Sequence, residues 1–141
     1  MRQELDEKLC KDYPKIFANR HGDIKTTAMC WGFECGDGWY PLINLLCREI
    51  QWHIDHNARV ETTQFLASQV KEKFGTLRFY GNGGDDKIDH FIWFAESMSS
   101  IICETCGAPG KIRGRGWIYT ACDAHTKEEH LNDETVGEEN E

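Results

Sequence analysis

Four residues near the carboxyl end of the chain have the types and the spacing of metal ligands. Cys103 and Cys106 form a CxxC pair, and Cys122 and His125 form a CxxH pair fifteen residues further along. Zinc takes four tetrahedral nitrogen and sulfur ligands, and a two-residue gap lets one tight turn direct both side chains of a pair at the same ion. The spacing therefore predicts one zinc ion bound by these four side chains.

A site of this composition is expected to be structural rather than catalytic. Four protein ligands leave no open coordination position for water, whereas catalytic zinc sites keep one. Metal binding would then contribute folding energy, and chelation should unfold at least this part of the chain. His130 is a fifth candidate ligand, but its place at the edge of an acidic segment favours a solvated side chain.

The segment between the two ligand pairs predicts a β-hairpin. Residues 111–113 and 117–120 have the character of strands, and residues 114–116 form the turn between them. The stretch CDAHTKEEH, which begins at Cys122, predicts the start of a helix. A knuckle, a hairpin and a helix in this order are typical of a treble-clef or zinc-ribbon module.

This hairpin is also a candidate binding surface, because it places cations beside aromatic side chains. The residues are Lys111, Arg113, Arg115, Trp117 and Tyr119. Nucleic-acid-binding modules use such side chains to contact phosphates and to stack on bases. The alternative is that the cations are solvated and that Trp117 covers the metal site, since three charges make a small patch.

Other cysteines do not follow a familiar ligand pattern. Cys30, Cys35, Cys47 and His53 are separated by four, eleven and five residues. Free cysteine is one of the most buried residue types in proteins. We therefore interpret the three cysteines as thiols that pack in the core.

The stretch WHIDHN, with His53, Asp55 and His56, has a superficial likeness to the metal-dependent nucleases of the His-Asn-His type. Such nucleases carry their catalytic histidine inside the zinc-framed module, whereas this stretch lies well before Cys103. The sequence also lacks the HxE of zinc deaminases, a phosphate loop, a nucleophile elbow and a dinucleotide fingerprint. No residue is therefore assigned a catalytic role.

The rest of the chain must supply the elements that position these residues. Apolar residues at helical spacing predict three helices, and β-branched and aromatic residues around Gly75 predict one hairpin. We expect a first helix at 2–11, followed by irregular chain at 19–38. A second helix is expected to be capped by Asp37 and to run to about Asn57. After it we expect strands at 64–71 and 76–80, and a third helix that starts after GNGGDD and runs straight into Cys103.

This order predicts a single small α+β domain of helices and a β-hairpin with a C-terminal treble-clef or zinc-ribbon-like module. We expect residues 1–102 to form the core and residues 103–130 to form a zinc module packed on it. Residues 131–141 are highly charged and contain few apolar side chains, which predicts a disordered acidic tail.

The formal net charge of −8 is unevenly distributed along the chain. Residues 126–141 hold seven acidic residues against Lys127, whereas the other 125 residues hold 17 acids and 15 bases. Overall charge therefore does not decide between a protein partner and a polyanion. The lack of a long apolar run and of a signal sequence predicts a cytoplasmic protein without membrane association, and seven cysteines fit a reducing compartment.

Four stretches together resemble a family of small zinc-finger-like proteins of tailed phages and prophages. They are MCWGFECGDGWYPLINLLC, QVKEKFGTLRFYG, AESMSS and ICETCGAPGKIRGRGWIYTACDAH, and the likeness extends from about Tyr13 to His125. The resemblance implies a phage accessory protein acting in the bacterial host cytoplasm. It implies no activity for any named residue.

These observations leave three functions open. The favoured one is a non-enzymatic accessory protein that binds zinc and inhibits or modulates a host protein, such as a defence-system nuclease or the transcription machinery. The alternative is a nucleic-acid-binding zinc-finger protein that uses the hairpin at 111–119, and a metal-dependent nuclease is less favoured. We expect a host or phage protein as partner, and the sequence indicates no small-molecule substrate.

Overall fold

The computed structural model describes residues 1–132 of the chain. The tail predicted to be disordered, 131–141, lies outside the described residues except for Leu131 and Asn132. The helices are α1 (Gln3–Asp12), α2 (Tyr40–His56) and α3 (Asp86–Ser99), and the strands are β1 (Phe33–Glu34), β2 (Thr63–Lys73), β3 (Thr76–Gly84), β4 (Lys111–Arg113) and β5 (Tyr119–Ala121). The predicted α+β class is confirmed. No described helix is long and apolar enough to cross a membrane.

The larger sheet has the strand order β1-β2-β3. β2 and β3 form an antiparallel hairpin, and β1 runs parallel to β2. The hairpin predicted around Gly75 is confirmed, but β3 continues through GNGG to Gly84 instead of ending before it. Gly81 lets the strand continue there, because a Cβ atom at this position would collide with the ring of Phe65 on β2.

Helix α3 covers the outer edge of β3. The backbone N–H of Leu77 donates to Ser99 Oγ (2.8 Å), and that of Phe79 donates to Glu96 Oε1 (2.9 Å). An open strand edge presents unpaired backbone groups that can pair with another chain, and these two side chains occupy them. α3 ends at Ser99 rather than at Cys103, because the chain then bends and Ile102 pairs with Pro109 in an isolated bridge.

Helix α2 supplies much of the core. Ile43, Leu46, Cys47 and Ile50 recur at helical spacing on its buried face, and Trp39 is buried at its start. Complete burial of an aliphatic side chain of this size contributes about 1.5–3 kcal/mol to folding. Pairing of this face with the sheet and with α3 therefore accounts for the position of α2.

The predicted capping of α2 by Asp37 is wrong. Residues Asp37–Trp39 form a 3-10 turn, and α2 begins only at Tyr40. Asp37 Oδ1 instead accepts a hydrogen bond from the backbone N–H of Arg2 (2.8 Å), so it ties the amino end to this turn. Pro41 lies in the first turn of α2, where its missing N–H leaves no hydrogen bond unmade.

Of the cysteines predicted to pack in the core, Cys35 and Cys47 do so, whereas Cys30 lies outside the core. Cys35 and Cys47 are buried, and Cys10 and Cys30 are half-buried. Burial raises the pKa of Cys35 to about 12, that of Cys10 to about 11, and that of Cys47 well above its ordinary value. A thiol with so high a pKa is a poor nucleophile and a poor metal ligand at neutral pH, in agreement with a packing role.

Candidate metal centre

The structure brings the two predicted ligand pairs together. One ligand atom from each of Cys103, Cys106, Cys122 and His125 lies within 4.8 Å of all the others. The distances are 3.7 Å between Cys106 Sγ and Cys122 Sγ, 3.7 Å between Cys103 Sγ and His125 Nδ1, and 3.3 Å between Cys122 Sγ and His125 Nδ1. A tetrahedral site with Zn–S bonds of about 2.3 Å separates its ligand atoms by about 3.7 Å. The arrangement therefore fits one tetrahedral metal ion.

The first ligand pair lies in a tight backbone turn. The N–H of Cys103 donates to the carbonyl of Ala108 (2.8 Å), and the N–H of Gly107 donates to the carbonyl of Cys103 (2.8 Å). Gly107 has a φ of +79°, a left-handed conformation that glycine adopts without steric cost. The turn thereby directs Cys103 and Cys106 towards one point.

Backbone N–H groups also prepare Cys103 for metal binding. Burial raises the pKa of its thiol, but hydrogen bonds from the backbone of Cys122, Cys106 and Thr105 outweigh burial and lower the pKa to about 6. These hydrogen bonds therefore favour the thiolate of Cys103, which is the form that binds metal.

Cys106 has the opposite shift, because it lies beside other sulfur atoms. The N–H of Ala108 lowers its pKa, but burial and the neighbouring Cys103 and Cys122 raise it, and the net shift is upward. Several thiolates this close repel one another unless a cation compensates them. A divalent metal ion would supply that compensation.

The second ligand pair lies in a 3-10 turn, Asp123–His125, and the helix predicted after Cys122 is wrong. The carbonyl of Cys122 accepts from the N–H of His125 (3.1 Å) and from Thr126 Oγ1 (2.8 Å), and Thr126 is extended. These bonds take the place of the bond to residue i+4 that an α-helix requires. Up to residue 132 only one further 3-10 turn follows, Glu128–His130. The described chain after Cys122 therefore contains 3-10 turns and no α-helix.

Hydrogen bonds join the turn that carries Cys103 and Cys106 to the core. The N–H of Gly38 donates to the carbonyl of Glu104 (2.7 Å), and the N–H of Gly36 donates to Glu104 Oε1 (2.9 Å). A Cβ atom at Gly38 would collide with the carbonyl of Cys103. Trp39, at the centre of the core, donates from Nε1 to the carbonyl of Ile102 (2.9 Å). The turn that carries Cys103 and Cys106 is thus packed against the residues at the start of α2.

Arg113 differs from its predicted role as an exposed cation. It is only 2% exposed, and its guanidinium donates to the carbonyls of Ala121 (3.3 Å) and His130 (3.4 Å) and to Asp123 Oδ1 (2.5 Å). The hydrogen bond from Arg113 lowers the pKa of Asp123. Arg113 therefore holds the chain after Cys122 against β4 and β5 and does not face a partner.

Tyr119 and His130 also serve the interior of this module. Tyr119 Oη lies 2.8 Å from His130 Nδ1 and accepts from the N–H of Lys127 (3.2 Å). The expectation that His130 is solvated is wrong, since its side chain is 18% exposed. It lies outside the group of metal ligands, so it is not a fifth ligand.

The remaining predicted binding residues lie at or near the surface. Trp117 is 76% exposed, Arg115 is exposed and Lys111 is half-buried. Lys111 and Arg115 both have interaction partners within the chain. Trp117 is thus the residue of this hairpin that most clearly presents an unburied side chain.

The residues of WHIDHN do not assemble a site. His53 is buried on α2, and its Nε2 lies 2.8 Å from Asp85 Oδ2, whereas Asp55 and His56 are exposed. His56 stacks on Trp52, with ring centroids 4.8 Å apart. Within residues 1–132 the Cys3His group is the one cluster with ligand atoms close enough to hold a metal.

The His53–Asp85 pair is the polar feature that the sequence did not reveal. Asp85 Oδ1 accepts from the N–H groups of Lys87 and Ile88 (both 3.2 Å), so Asp85 caps α3 while its other oxygen contacts His53. The sequence features that could have indicated this pair were a histidine on the apolar face of α2 and an aspartate in front of a helix. Nothing local links two residues so far apart in the chain.

No protein-family model matches the chain, and no curated protein or solved structure matches it either. Fold and site together define a small α+β protein with a C-terminal Cys3His group able to hold a metal ion. The likeness to phage proteins stays a prediction.

Proposed function

We propose that this chain is a non-enzymatic, zinc-binding accessory protein that binds a partner protein through exposed aromatic side chains beside its zinc module. Three sulfur ligands and one nitrogen ligand at tetrahedral separations favour zinc. With all four ligands supplied by the protein, the ion has a structural role and no open position for a reacting water.

The observation that carries the proposal is the conformation of Phe74. It forms the two-residue turn between β2 and β3 together with Gly75, and it has a φ of +52° while 72% of it is exposed. Such turns favour Asn or Gly, and a left-handed conformation costs other residues about 1–2 kcal/mol. Burial does not compensate this cost, which points to selection of the ring for contact with another molecule.

Phe74 lies beside the zinc module. Thr120 Oγ1 donates to the carbonyl of Gly75 (2.6 Å), and a Cβ atom at Gly75 would lie 3.1 Å from Ile118 Cγ2. Phe74 precedes Gly75 in the chain and Trp117 precedes Ile118, so both lie next to this contact. Both rings are largely exposed. We call these two side chains the aromatic edge.

Exposed aromatic rings on a stiffened support have the character of protein-interface hot spots, where Trp and other aromatic residues are enriched. Zinc would hold β4 and β5 in place, and their contact with Gly75 would fix the turn that carries Phe74. The phage-like sequence pattern favours a host protein as the partner, such as a defence nuclease or a component of the transcription machinery.

Binding of nucleic acid through the 111–119 hairpin has less support. Arg113, one of its three cations, is buried in internal hydrogen bonds, and Tyr119 contacts His130. A phosphate-binding surface would need several exposed cations, and its affinity would fall steeply with salt. This alternative gives a different result in the experiment below.

The test is affinity capture from a bacterial lysate, with and without nuclease treatment, using the zinc-loaded tagged protein and two variants. Phe74→Asn suits the left-handed turn, so we expect equal or higher thermal stability together with loss of the captured partner. Trp117→Ala should lose the partner without unfolding. Trp31→Ala is the matched control, because Trp31 is 63% exposed and lines a hollow with residues of α1, away from the aromatic edge.

Retention of the same stoichiometric partner by both aromatic-edge variants would refute the proposed surface. Capture that disappears on nuclease treatment and falls steeply with salt would support the nucleic-acid alternative instead.

A further inference from the structure

A groove of about 310 Å³ lies between α3 and β3. Four groove residues on α3, Asp89, Ile92, Trp93 and Glu96, are spaced so that they share one helix face. Tyr80 on β3 contributes to the opposite wall. The groove shares no residue with the aromatic edge.

Two aromatic walls of this groove are open to solvent. Trp93 is 66% exposed and Tyr80 is 40% exposed. Neither ring stacks on another ring or receives a cation from the described chain. By comparison, Lys87 Nζ, on the same helix, already lies 5.8 Å from the ring centre of Phe91. The groove rings are thus available to a group from outside.

The charge of the groove has one sign. Asp89 and Glu96 line it, and no Lys, Arg or His does. Within residues 1–132 neither carboxylate forms an ion pair. Glu96 is also held in place, because its Oε1 accepts the N–H of Phe79. Two acidic residues and two exposed aromatic residues therefore line one space without a counter-charge.

We propose that this groove binds an arginine side chain of a basic segment of a partner protein. A guanidinium group stacks on aromatic faces, donates several hydrogen bonds in one plane to carboxylates and is weakly hydrated, so it matches both features of the groove. A lysine ammonium satisfies them less well, because it is compact and strongly hydrated. This inference is independent of the aromatic edge.

The experiment is an NMR titration of the zinc-loaded full chain with a blocked pentapeptide that has a central arginine between glycines. The matched probe replaces arginine by citrulline, which keeps the shape and removes the charge. We expect a saturable shift of the Trp93 indole signal with the arginine probe, and at least about ten-fold weaker binding of the citrulline probe.

Variants locate the site. Trp93→Ala, Asp89→Asn and Glu96→Gln should each weaken binding of the arginine probe several-fold, and Glu96→Gln keeps an acceptor for the N–H of Phe79. Phe94→Ala is the control, because Phe94 is 61% exposed on the same helix and does not line the groove. An unchanged amide spectrum away from the groove establishes that each variant is folded.

Equal shifts from the two probes, or full binding by the three groove variants, would overturn the proposal. The lack of a saturable shift up to about 20 mM arginine probe would also overturn the proposal. A groove with two acidic and two aromatic residues should bind this probe in the millimolar range or better.

Discussion

At the scale of single residues, side chains that look like surface chemistry in the sequence act as internal connections. Arg113 lies in a basic turn motif, yet its guanidinium joins β4 to the chain after Cys122. His53 lies in a motif with nuclease-like residues, yet it contacts the cap of α3. For both residues the buried partner, rather than the motif, determines the role.

Arg113→Ala should therefore lower the free energy of unfolding by about 2 kcal/mol, since it leaves several carbonyl groups near Arg113 without a donor. Arg59→Ala is the control, because the Arg59 side chain is 87% exposed and should change stability by less than about 0.5 kcal/mol. Urea unfolding of the zinc-loaded proteins measures both. Equal stability of the two variants would contradict the internal role of Arg113.

We expect the carboxylate of Asp85 to make a pH-dependent contribution to the stability of the fold. The hydrogen bond from His53, together with those from the N–H groups of Ile88 and Lys87, lowers the pKa of Asp85 in the folded protein. A carboxyl with a lowered folded-state pKa stabilises the fold above its ordinary pKa of about 4, and this contribution is lost as pH falls through the lowered value. Asp85→Asn keeps a capping oxygen and removes the charge.

We expect Asp85→Asn to be less stable than the natural protein near neutral pH, and the difference between them to shrink below about pH 4. Urea unfolding at several pH values measures this difference, and Asp86→Asn serves as the control because Asp86 is exposed on the first turn of α3. A difference that stays constant with pH would show that the charge of Asp85 adds nothing.

At the scale of elements, the position of α3 is decided by the sheet edge that it covers. Ser99 Oγ accepts the buried N–H of Leu77, and Glu96 accepts that of Phe79. The same helix then presents its outward face to solvent and leaves the arginine groove between itself and β3. The helix thus closes one part of the strand edge and forms a wall of a binding groove at another.

Ser99→Ala should cost about 1–3 kcal/mol, because it leaves the N–H of Leu77 buried without an acceptor. Ser97→Ala is matched in chemistry and is exposed, with its Oγ bonded to the carbonyl of Trp93 in its own helix. It should change stability little. Thermal unfolding of both variants measures the difference in stability. A Ser99→Ala protein as stable as Ser97→Ala would contradict the role of α3 in covering the edge of β3.

At the scale of the whole molecule, hydrogen bonds to backbone groups join the metal module to the core. Glu104, next to Cys103, accepts from Gly36 and Gly38, and Trp39 bonds to Ile102. Loss of the metal should therefore disturb the start of α2 as well as the module itself.

We expect about one zinc ion per chain in purified protein, and chelation should lower the unfolding temperature and change the fluorescence of the buried Trp39 region. Cys106→Ser should have the same effect, whereas Cys30→Ser should not, because Cys30 is half-buried and outside the ligand group. Metal analysis measures the zinc content per chain, and thermal unfolding measures the stability of each protein. A metal-free Cys106→Ser protein with natural stability would exclude a structural role for the ion.

Sequence alone determined the features that depend on near neighbours in the chain. These are the two ligand pairs, the helices with apolar residues at helical spacing, and the hairpin around Gly75. Local geometry is sufficient for them, since a two-residue gap aims two side chains at one ion and helical spacing buries one face.

Tertiary structure decided the features that depend on distant partners. Asp37 bonds to Arg2 instead of capping α2, Arg113 turns inward, and Phe74 is held in a strained, exposed turn. It also created the groove on α3, whose carboxylates and aromatic rings come from segments that look like ordinary helix and strand surface. Burial and long-range hydrogen bonds fix these features, and neither follows from spacing along the chain.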